Sequence, residues 1–393
     1  MMRRCWSGQV NKGAMPGSVL LSLGIVAAMC RCSYCGWLEV KDLEVRQEST
    51  ELGGPKIIIE YNLTDPNISQ ASPAYVFLRY SADAGRTWRL IPMDSLRGNG
   101  FGIVAKPGPK EVVWWGTDQT SFSDLSLVEV RVRGVQMVRV PAGRFALKSL
   151  PGGGRDESGI AAPDPNLPLY YIAKYETTIS MYTDYLNEIG GEGAGWNQRM
   201  SNAERCGIIQ QSNHTYSVSP GREDYPVTYV SWYDAEAFLQ WCGLRLPTEA
   251  EWEKAVRGGI YLDGDSMKKN RNPMPERRYP WGDQDPNAGG LWRCNCDGDK
   301  DGFAYTAPVG SFSRFSSPYG VCDLAGNVGE WTSDWYSTSY HVGLDGFRMV
   351  RGGSWMAVPA ACDAITGATQ LPLKESSIMG FRGAIGPMPY NGL

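Results

Sequence analysis

The chain has 393 residues, enough for two domains, and its net charge is −4 because 38 Lys and Arg nearly balance 42 Asp and Glu. That balance implies no strongly basic surface and argues against nucleic-acid binding. With only 2 histidines, His214 and His341, a three-histidine zinc site is excluded, and no G-x-S-x-G nucleophile elbow accompanies either. The 47 glycines, 25 prolines and 14 tryptophans predict a loop-rich fold with a largely aromatic core.

The first 35 residues have the pattern of a targeting segment. Arg3, Arg4 and Lys12 precede an apolar run at 18–30 that is short for a membrane span. We therefore expect residues 1–35 to be a signal peptide or an N-terminal anchor, with no other membrane contact. The protein is then exported, that is, periplasmic, extracellular or membrane-anchored. In an oxidising compartment some of the later cysteines can pair, and the sequence does not choose among the pairings.

Residues 36–135 carry a β pattern. Short β-branched and aromatic runs alternate with Gly, Pro and Asp turn clusters, and the runs occupy 56–63, 74–81, 87–91, 111–116 and 127–135. About a hundred residues with strands at this spacing predict an immunoglobulin-like or fibronectin-III-like β-sandwich. No cluster of chemically reactive residues occurs in it, so we expect a spacer or adhesion role.

Residues 136–387 form the second predicted domain, with three short helices. The first covers about 178–187. The second begins after the N-cap Ser231 and ends at Gly243, and the third begins with the capping box of Thr248 and Glu251 and ends at Gly258. Beyond Gly259 no helix is predicted. Such a long loop-rich half needs bound metal, disulfides or aromatic packing to hold its shape.

Two acidic loops in this half carry calcium-type ligands. Asp297, Asp299 and Asp301 alternate before a glycine, but an EF-hand is excluded because its twelfth position is Pro308. A different calcium loop and a solvated acidic turn remain as alternatives. Further on, Asp323 and Glu330 flank a Gly-Asn turn, which is typical either of a cation site or of a turn that bonds its own backbone.

A series of motifs then occurs in a fixed order, including YPVTYVSWYDAEAFLQWCGLRLPTEAEWEKAVRGG, TAPVGSF, YGVCDLAGNVGEWTSDWY, RMVRGGSW and GFRGA. Over residues 137–386 the chain resembles the formylglycine-generating enzymes, also called sulfatase-modifying factors. The resemblance implies an α+β, C-type-lectin-like fold, loop-rich with few short helices and stabilised by calcium, here preceded by the all-β sandwich.

The resemblance also implies two calcium sites, which coincide with the two acidic loops. The first would use the side chains of Asn295 and Asp301 with the carbonyls of Cys296 and Phe303. The second would use Asp323, Glu330 and backbone carbonyls, those of Gly326 and Val328.

Enzymes of this family oxidise a substrate cysteine to formylglycine, in a Cys-x-Pro-x-Arg segment of an unfolded sulfatase. They use O2 and one copper ion held by two cysteine thiolates, a soft and open site that the substrate thiolate can join. The family spacing, Cys-x4-Cys, places the first ligand at Ala357 and the second at Cys362, with Ser354 lining the site. Ala357 has no donor atom, and one thiolate does not hold Cu(I) tightly enough for the reaction.

Two more family positions differ, since a tryptophan is replaced by Gly329 and a substrate-binding arginine by Gln370. We therefore expect a calcium-stabilised module that binds a protein or peptide, including a sulfatase, or a glycan. The alternative is an active copper oxidase whose replacement ligand is Cys322 or His341. Enzymatic activity thus stays open, while an iron-dependent sulfoxide synthase is excluded because the chain lacks a histidine-rich site and an additional helical domain.

Overall fold

The computed structural model describes residues 36–48, 56–115, 128–147, 165–190, 195–336 and 346–386. The segment predicted to direct export, residues 1–35, lies outside these ranges, and so does His341. Within the described ranges, no helix combines the length and the apolar character needed to cross a bilayer.

The described part of the N-terminal region consists of β-strands and one short 3-10 helix, Met93–Ser95. Its strands are β1 (Val40–Glu48), β2 (Lys56–Leu63), β3 (Ala74–Ser81), β4 (Arg89–Leu90), β5 (Leu96–Gly98), β6 (Gly102–Val104), β7 (Gly108–Trp115) and β8 (Glu129–Val140). One sheet has the order β1-β2-β7-β5, and β3 belongs to a second sheet, where it pairs with β4, β6 and β8. An apolar core includes the ring contact of Tyr80 and Trp114, 4.7 Å between centroids. The all-β region is as expected, and its assignment as an immunoglobulin-like or fibronectin-III-like sandwich stays a prediction.

Strand β8 joins this region to the rest of the chain. Its first part pairs antiparallel with β3, as in Leu78 opposite Val132, and its last part pairs with β11 (Tyr170–Ala173), as in Ile172 opposite Val138. With β18 (Ala384–Ile385) at its edge, the sheet β18-β11-β8-β3-β4 is therefore shared by both regions. The predicted domain limit between residues 135 and 136 lies within this strand, and the limits themselves stay predictions.

The three predicted helices are the three α-helices of the described residues: α1 (Ile179–Ile189), α2 (Trp232–Cys242) and α3 (Glu249–Arg257). Thr178 caps α1, while Ser231 and Thr248 form complete capping boxes at α2 and α3. These reciprocal bonds satisfy backbone N–H groups that a helix start otherwise leaves unpaired. The left-handed C-cap Gly243 ends α2, as expected.

The remaining strands are short and widely spaced: β9 (Gly143–Arg144), β10 (Asn166–Leu167), β12 (Ile208–Gln210), β13 (Tyr216–Val218), β14 (Gly329–Trp335), β15 (Arg348–Arg351), β16 (Gly367–Gln370), β17 (Met379–Gly380) and β18 (Ala384–Ile385). β14 and β15 form the centre of the sheet β16-β15-β14-β17. Between α1, α2 and β17–β18, aromatic rings pack closely, with Phe238 lying 5.7 Å from Tyr182 and 5.5 Å from Phe381. The fold is the loop-rich α+β arrangement that the sequence predicts, and no disulfide joins the six cysteines of the described residues.

Candidate metal centre

Three buried thiols meet beneath the loop that follows β15. The Sγ atoms of Cys294, Cys296 and Cys362 all lie within 4.8 Å of one another. The Cys294 thiol donates to the Cys296 sulfur at 3.7 Å, and none of the three residues is more than 2% exposed. We call these residues the thiol cluster. Cys362 therefore has two thiol neighbours, and both come from a loop distant in sequence.

A glycine pair makes the close approach possible. Gly352 and Gly353 have φ of +94° and +74°, values that residues with a Cβ rarely adopt. A Cβ on Gly353 would lie 2.8 Å from the Cys362 sulfur. The Gly-Gly-Ser turn thus leaves the space in which the Cys362 thiol sits.

Backbone hydrogen bonds fix the two cysteine-bearing loops against each other. The N–H of Asp297 donates to the Ala357 carbonyl and that of Gly298 to the Trp355 carbonyl, each at 2.9 Å. Side chains anchor the turn after Cys362, because Asp363 accepts from the Ile365 N–H at 3.0 Å. Hydrogen bonds therefore hold the backbone of both loops that carry the thiol cluster.

The pKa values of the thiols in the cluster shift in opposite directions. The pKa of Cys362 is held well below its usual range, because the thiols of Cys294 and Cys296 and the N–H of Ser354 all donate to its sulfur. The pKa of Cys294 is raised well above its usual range, because donation to Cys296 and Cys362 and burial all favour the protonated thiol. These opposite directions mean that Cys362 ionises more readily than Cys294.

The structure places the predicted copper-site residues around this cluster. Ala357 packs against it, and the buried Ser354 contributes its backbone N–H. Cys322 and His341 were the predicted replacement ligands. His341 lies outside the described residues, and the Cys322 thiol faces the Gly320 carbonyl at 3.8 Å and does not belong to the cluster. The thiols that lie beside Cys362 are those of Cys294 and Cys296. Sequence reasoning missed them, although their Cys-x-Cys spacing beside an acidic loop was a visible signal.

The first predicted calcium loop gathers its residues closely. Asp301 accepts hydrogen bonds from the N–H groups of Cys296 and Phe303, the latter at 3.0 Å. Burial raises the pKa of Asp301 to about 6. The Oδ1 atom of the fully buried Asn295 has no hydrogen-bond partner among the described residues. An amide oxygen with no such partner, in the same loop as a partly buried carboxylate, fits a hard cation, which takes oxygen ligands. The ligand set itself stays a prediction.

Glu176, a buried carboxyl group that sequence reasoning missed, contacts the second predicted calcium loop through Asn327. Its Oε1 has no hydrogen-bond partner among the described residues, while Oε2 accepts from Asn327 at 3.0 Å. Burial, followed by the charge of Asp323, raises the pKa of Glu176 well above its usual range. Burial also raises the pKa of Asp323 to about 6. A divalent cation would stabilise the ionised forms of these two buried carboxyl groups, whose oxygens are the ligands that calcium takes.

Glu330, another predicted ligand of this loop, is the partner of Arg382. Its two carboxylate oxygens accept from the guanidinium at 2.6 and 2.7 Å, and Trp252 donates to it at 3.0 Å. The backbone carbonyls of Gly326 and Val328 lie in the same loop, and Val328 is fully buried. The structure thus shows Glu330 in an ion pair, and its role as a calcium ligand stays a prediction.

The family tryptophan could not fit at Gly329 in this structure. A Cβ there would lie 2.8 Å from Cγ1 of Val350 and 3.2 Å from the Gly353 carbonyl oxygen. Gln370, at the position of the family arginine, lies in β16 opposite Arg348. Gly329 lies in β14 and Gln370 in β16, and both strands pair with β15, which leads into the loop above the thiol cluster.

The sequence profile of the "Sulfatase-modifying factor enzyme 1-like domain" matches residues 122–386, and the chain belongs to this family. The chain is 38% identical over 183 residues to the formylglycine-generating enzyme of Streptomyces coelicolor, which covers 41% of this chain and 53% of that protein. It is 32% identical over 251 residues to the "Inactive C-alpha-formylglycine-generating enzyme 2" of Bos taurus, covering 56% of this chain and 77% of that protein. The chain thus spans about half the length of the Streptomyces enzyme.

Among solved structures, the chain is similar to CarF, with 23% identity and a TM-score of 0.45. That match covers 65% of this chain and 99% of CarF.

Proposed function

We propose that the protein is an exported, calcium-stabilised member of its family that binds a protein or peptide ligand without oxidising a substrate cysteine. The observation that carries this proposal is Ala357. It occupies the family's first copper-ligand position, packs against the thiol cluster and has no donor atom. The family's two-thiolate pair cannot form at this spacing.

Access to the remaining thiolate supports the same conclusion. Cys362 is fully buried, so an extended peptide would not reach its sulfur without displacing the loop above it. Gly329 and Gln370 also lack the family's side chains. Family membership does not by itself imply activity, since one similar protein bears the word inactive in its name.

The chain segment that carries Cys362 exposes several large apolar side chains. Within residues 356–373 these are Met356, Val358, Ile365, Leu371 and Leu373. Exposed apolar residues that form a contiguous patch are typical of interaction sites, and methionine is enriched at such sites. This surface favours a peptide, such as a segment of an unfolded sulfatase, over a glycan.

A peptide oxidation assay tests this proposal. We expect the full-length protein, supplied with Cu(I), O2 and a Cys-x-Pro-x-Arg peptide, to form no aldehyde detectable by mass spectrometry. A formylglycine-generating enzyme assayed in parallel must convert the same peptide. Aldehyde that forms with the wild-type protein and disappears in Cys362→Ala would refute the proposal.

The thiol cluster favours a second candidate, an active copper oxidase that uses Cys294 or Cys296 in place of the missing ligand. The supporting observation is that both sulfurs lie within 4.8 Å of the Cys362 sulfur. The same assay decides between the two candidates, because only this one predicts aldehyde.

Calcium dependence is a separate part of the proposal. We expect a chelator to lower the melting temperature of the wild-type protein, because a bound ion stabilises the folded state by about 2.7 kcal/mol at a hundredfold excess over its Kd. Asp301→Asn should weaken this response, because it removes a ligand of one of the two proposed sites. The matched control is Asp299→Asn, an exposed carboxylate in the same loop, which should respond like the wild type. Equal responses of the two variants would refute Asp301 as a ligand.

Export is proposed on the pattern of residues 1–35 alone. Fractionation of cells that express the full chain, compared with a chain lacking residues 1–35, tests it. Equal distribution of both forms between cytoplasm and export compartment would contradict it.

A further inference from the structure

We propose that Cys294, Cys296 and Cys362 form a closed three-thiolate site for Cu(I), in which the chain itself supplies every ligand. The inference goes beyond the proposed function, because it concerns what the thiol cluster binds rather than what the exposed surface recognises. It replaces the family pair by a different set of ligands, two of which, Cys294 and Cys296, come from the first predicted calcium loop.

The spacing of the sulfur atoms fits three-coordinate geometry. For metal–sulfur bonds of about 2.3 Å, a planar site with three equal angles holds its sulfurs about 4 Å apart. The sulfurs of Cys294 and Cys296 are 3.7 Å apart, and all three pairs lie within 4.8 Å. Small side-chain rotations therefore suffice to place a metal ion at the centre.

The ligand type selects a soft ion. Thiolates favour Cu(I), zinc and iron–sulfur clusters, whereas calcium and magnesium require oxygen donors. Structural zinc sites have four protein ligands, and catalytic zinc sites keep a water in an open position. Within the described residues, no further His, Cys, Asp or Glu joins the three cysteines, and all three are buried. Three-coordinate Cu(I) needs neither a fourth ligand nor water.

The surroundings keep the site closed. The partly buried Trp281, Trp292 and Ala357 pack against the three cysteines. Two thiolates would leave a soft ion open to a further ligand, but here the third thiolate belongs to the protein. The copper would thus be retained without a position for a substrate thiol.

Copper titration of the reduced full-length protein under anaerobic conditions tests this inference. With a chromophoric Cu(I) chelator as competitor, we expect one tightly bound Cu(I) per chain, and X-ray absorption should show three sulfur ligands. Cys294→Ala and Cys296→Ala should each lower the sulfur count to two. Each should also weaken binding at least about tenfold, since even loss of an outer-shell partner of a metal site costs about that much. The matched control is Cys206→Ala, a fully buried cysteine outside the cluster, which should keep three sulfur ligands.

The number of sulfur ligands to copper in the wild-type protein tests the inference even if a variant fails to fold. Fewer than three sulfur ligands, or no tight copper, overturns the inference. The same holds if the Cys294→Ala spectrum is identical to the wild-type spectrum. A disulfide within the cluster that persists in the reduced preparation, shown by peptide mapping, also overturns it. The proposed function fails on a different readout, aldehyde formation, so the two failures can be told apart.

Discussion

Replacing Arg382 by Met is expected to lower the free energy of unfolding by about 3–5 kcal/mol, because it leaves a buried carboxylate without its counter-charge. Arg382 and Glu330 are both fully buried. The guanidinium binds both oxygens of Glu330 and also donates to the Cys322 carbonyl at 2.9 Å and the Ala173 carbonyl at 3.0 Å. Urea denaturation followed by tryptophan fluorescence measures the effect.

The matched control for Arg382→Met is Arg199→Met. Arg199 pairs with Glu375, but its side chain is 59% exposed. Exposed ion pairs contribute about 1 kcal/mol or less, so this variant should unfold nearly as the wild type does. If both variants lose the same stability, burial is not what makes the Arg382–Glu330 pair important.

Replacing Gly326 by Ala is expected to cost about 2–5 kcal/mol, because two unfavourable effects add. The residue has φ of +75°, which costs a residue with a Cβ about 1–2 kcal/mol. A Cβ there would also lie 2.1 Å from the carbonyl oxygen of Asn295, and forcing backbone apart in a packed interior costs about 1–3 kcal/mol. Chemical denaturation measures the loss, and the calcium response should weaken with it because Asn295 is displaced.

Gly320→Ala is the matched control, because Gly320 has the positive φ without the close contact. Its φ is +92°, but a Cβ there would meet no atom within 4 Å. Gly320→Ala should therefore cost only the backbone term, about 1–2 kcal/mol. A Gly326→Ala variant no less stable than Gly320→Ala would show that the two acidic loops are not packed as described.

Elements with local signals were predictable. The capping boxes of α2 and α3 join residues only three apart, so Ser231 with Asp234 and Thr248 with Glu251 could be recognised in the sequence. The same holds for β2 and β3, whose observed bounds match their apolar runs. In these cases the decisive hydrogen bonds and side-chain periods lie within a few residues.

The thiol cluster had only a partial local signal, the Cys-x-Cys spacing of Cys294 and Cys296. Sequence reasoning placed Cys362 at a family position and recognised that Ala357 lacks a donor atom. It sought the missing thiol at Cys322, which is nearer in the chain to Cys362 than Cys294 or Cys296. The Cys322 thiol, however, faces the Gly320 carbonyl and does not belong to the cluster. Which thiols meet depends on the loop pairing of Asp297 with Ala357, a long-range contact that no local pattern encodes.

The family, the three helices, the acidic loops and the loss of the family's first copper ligand could be recognised in the sequence, because each depends on residue identity or on short spacing. The sequence did not show that Cys294 and Cys296 lie beside Cys362, that Glu176 lies near Asp323, or that Glu330 pairs with Arg382. These contacts depend on burial and charge pairing between atoms that packing brings together. Those atoms come from segments far apart in the chain.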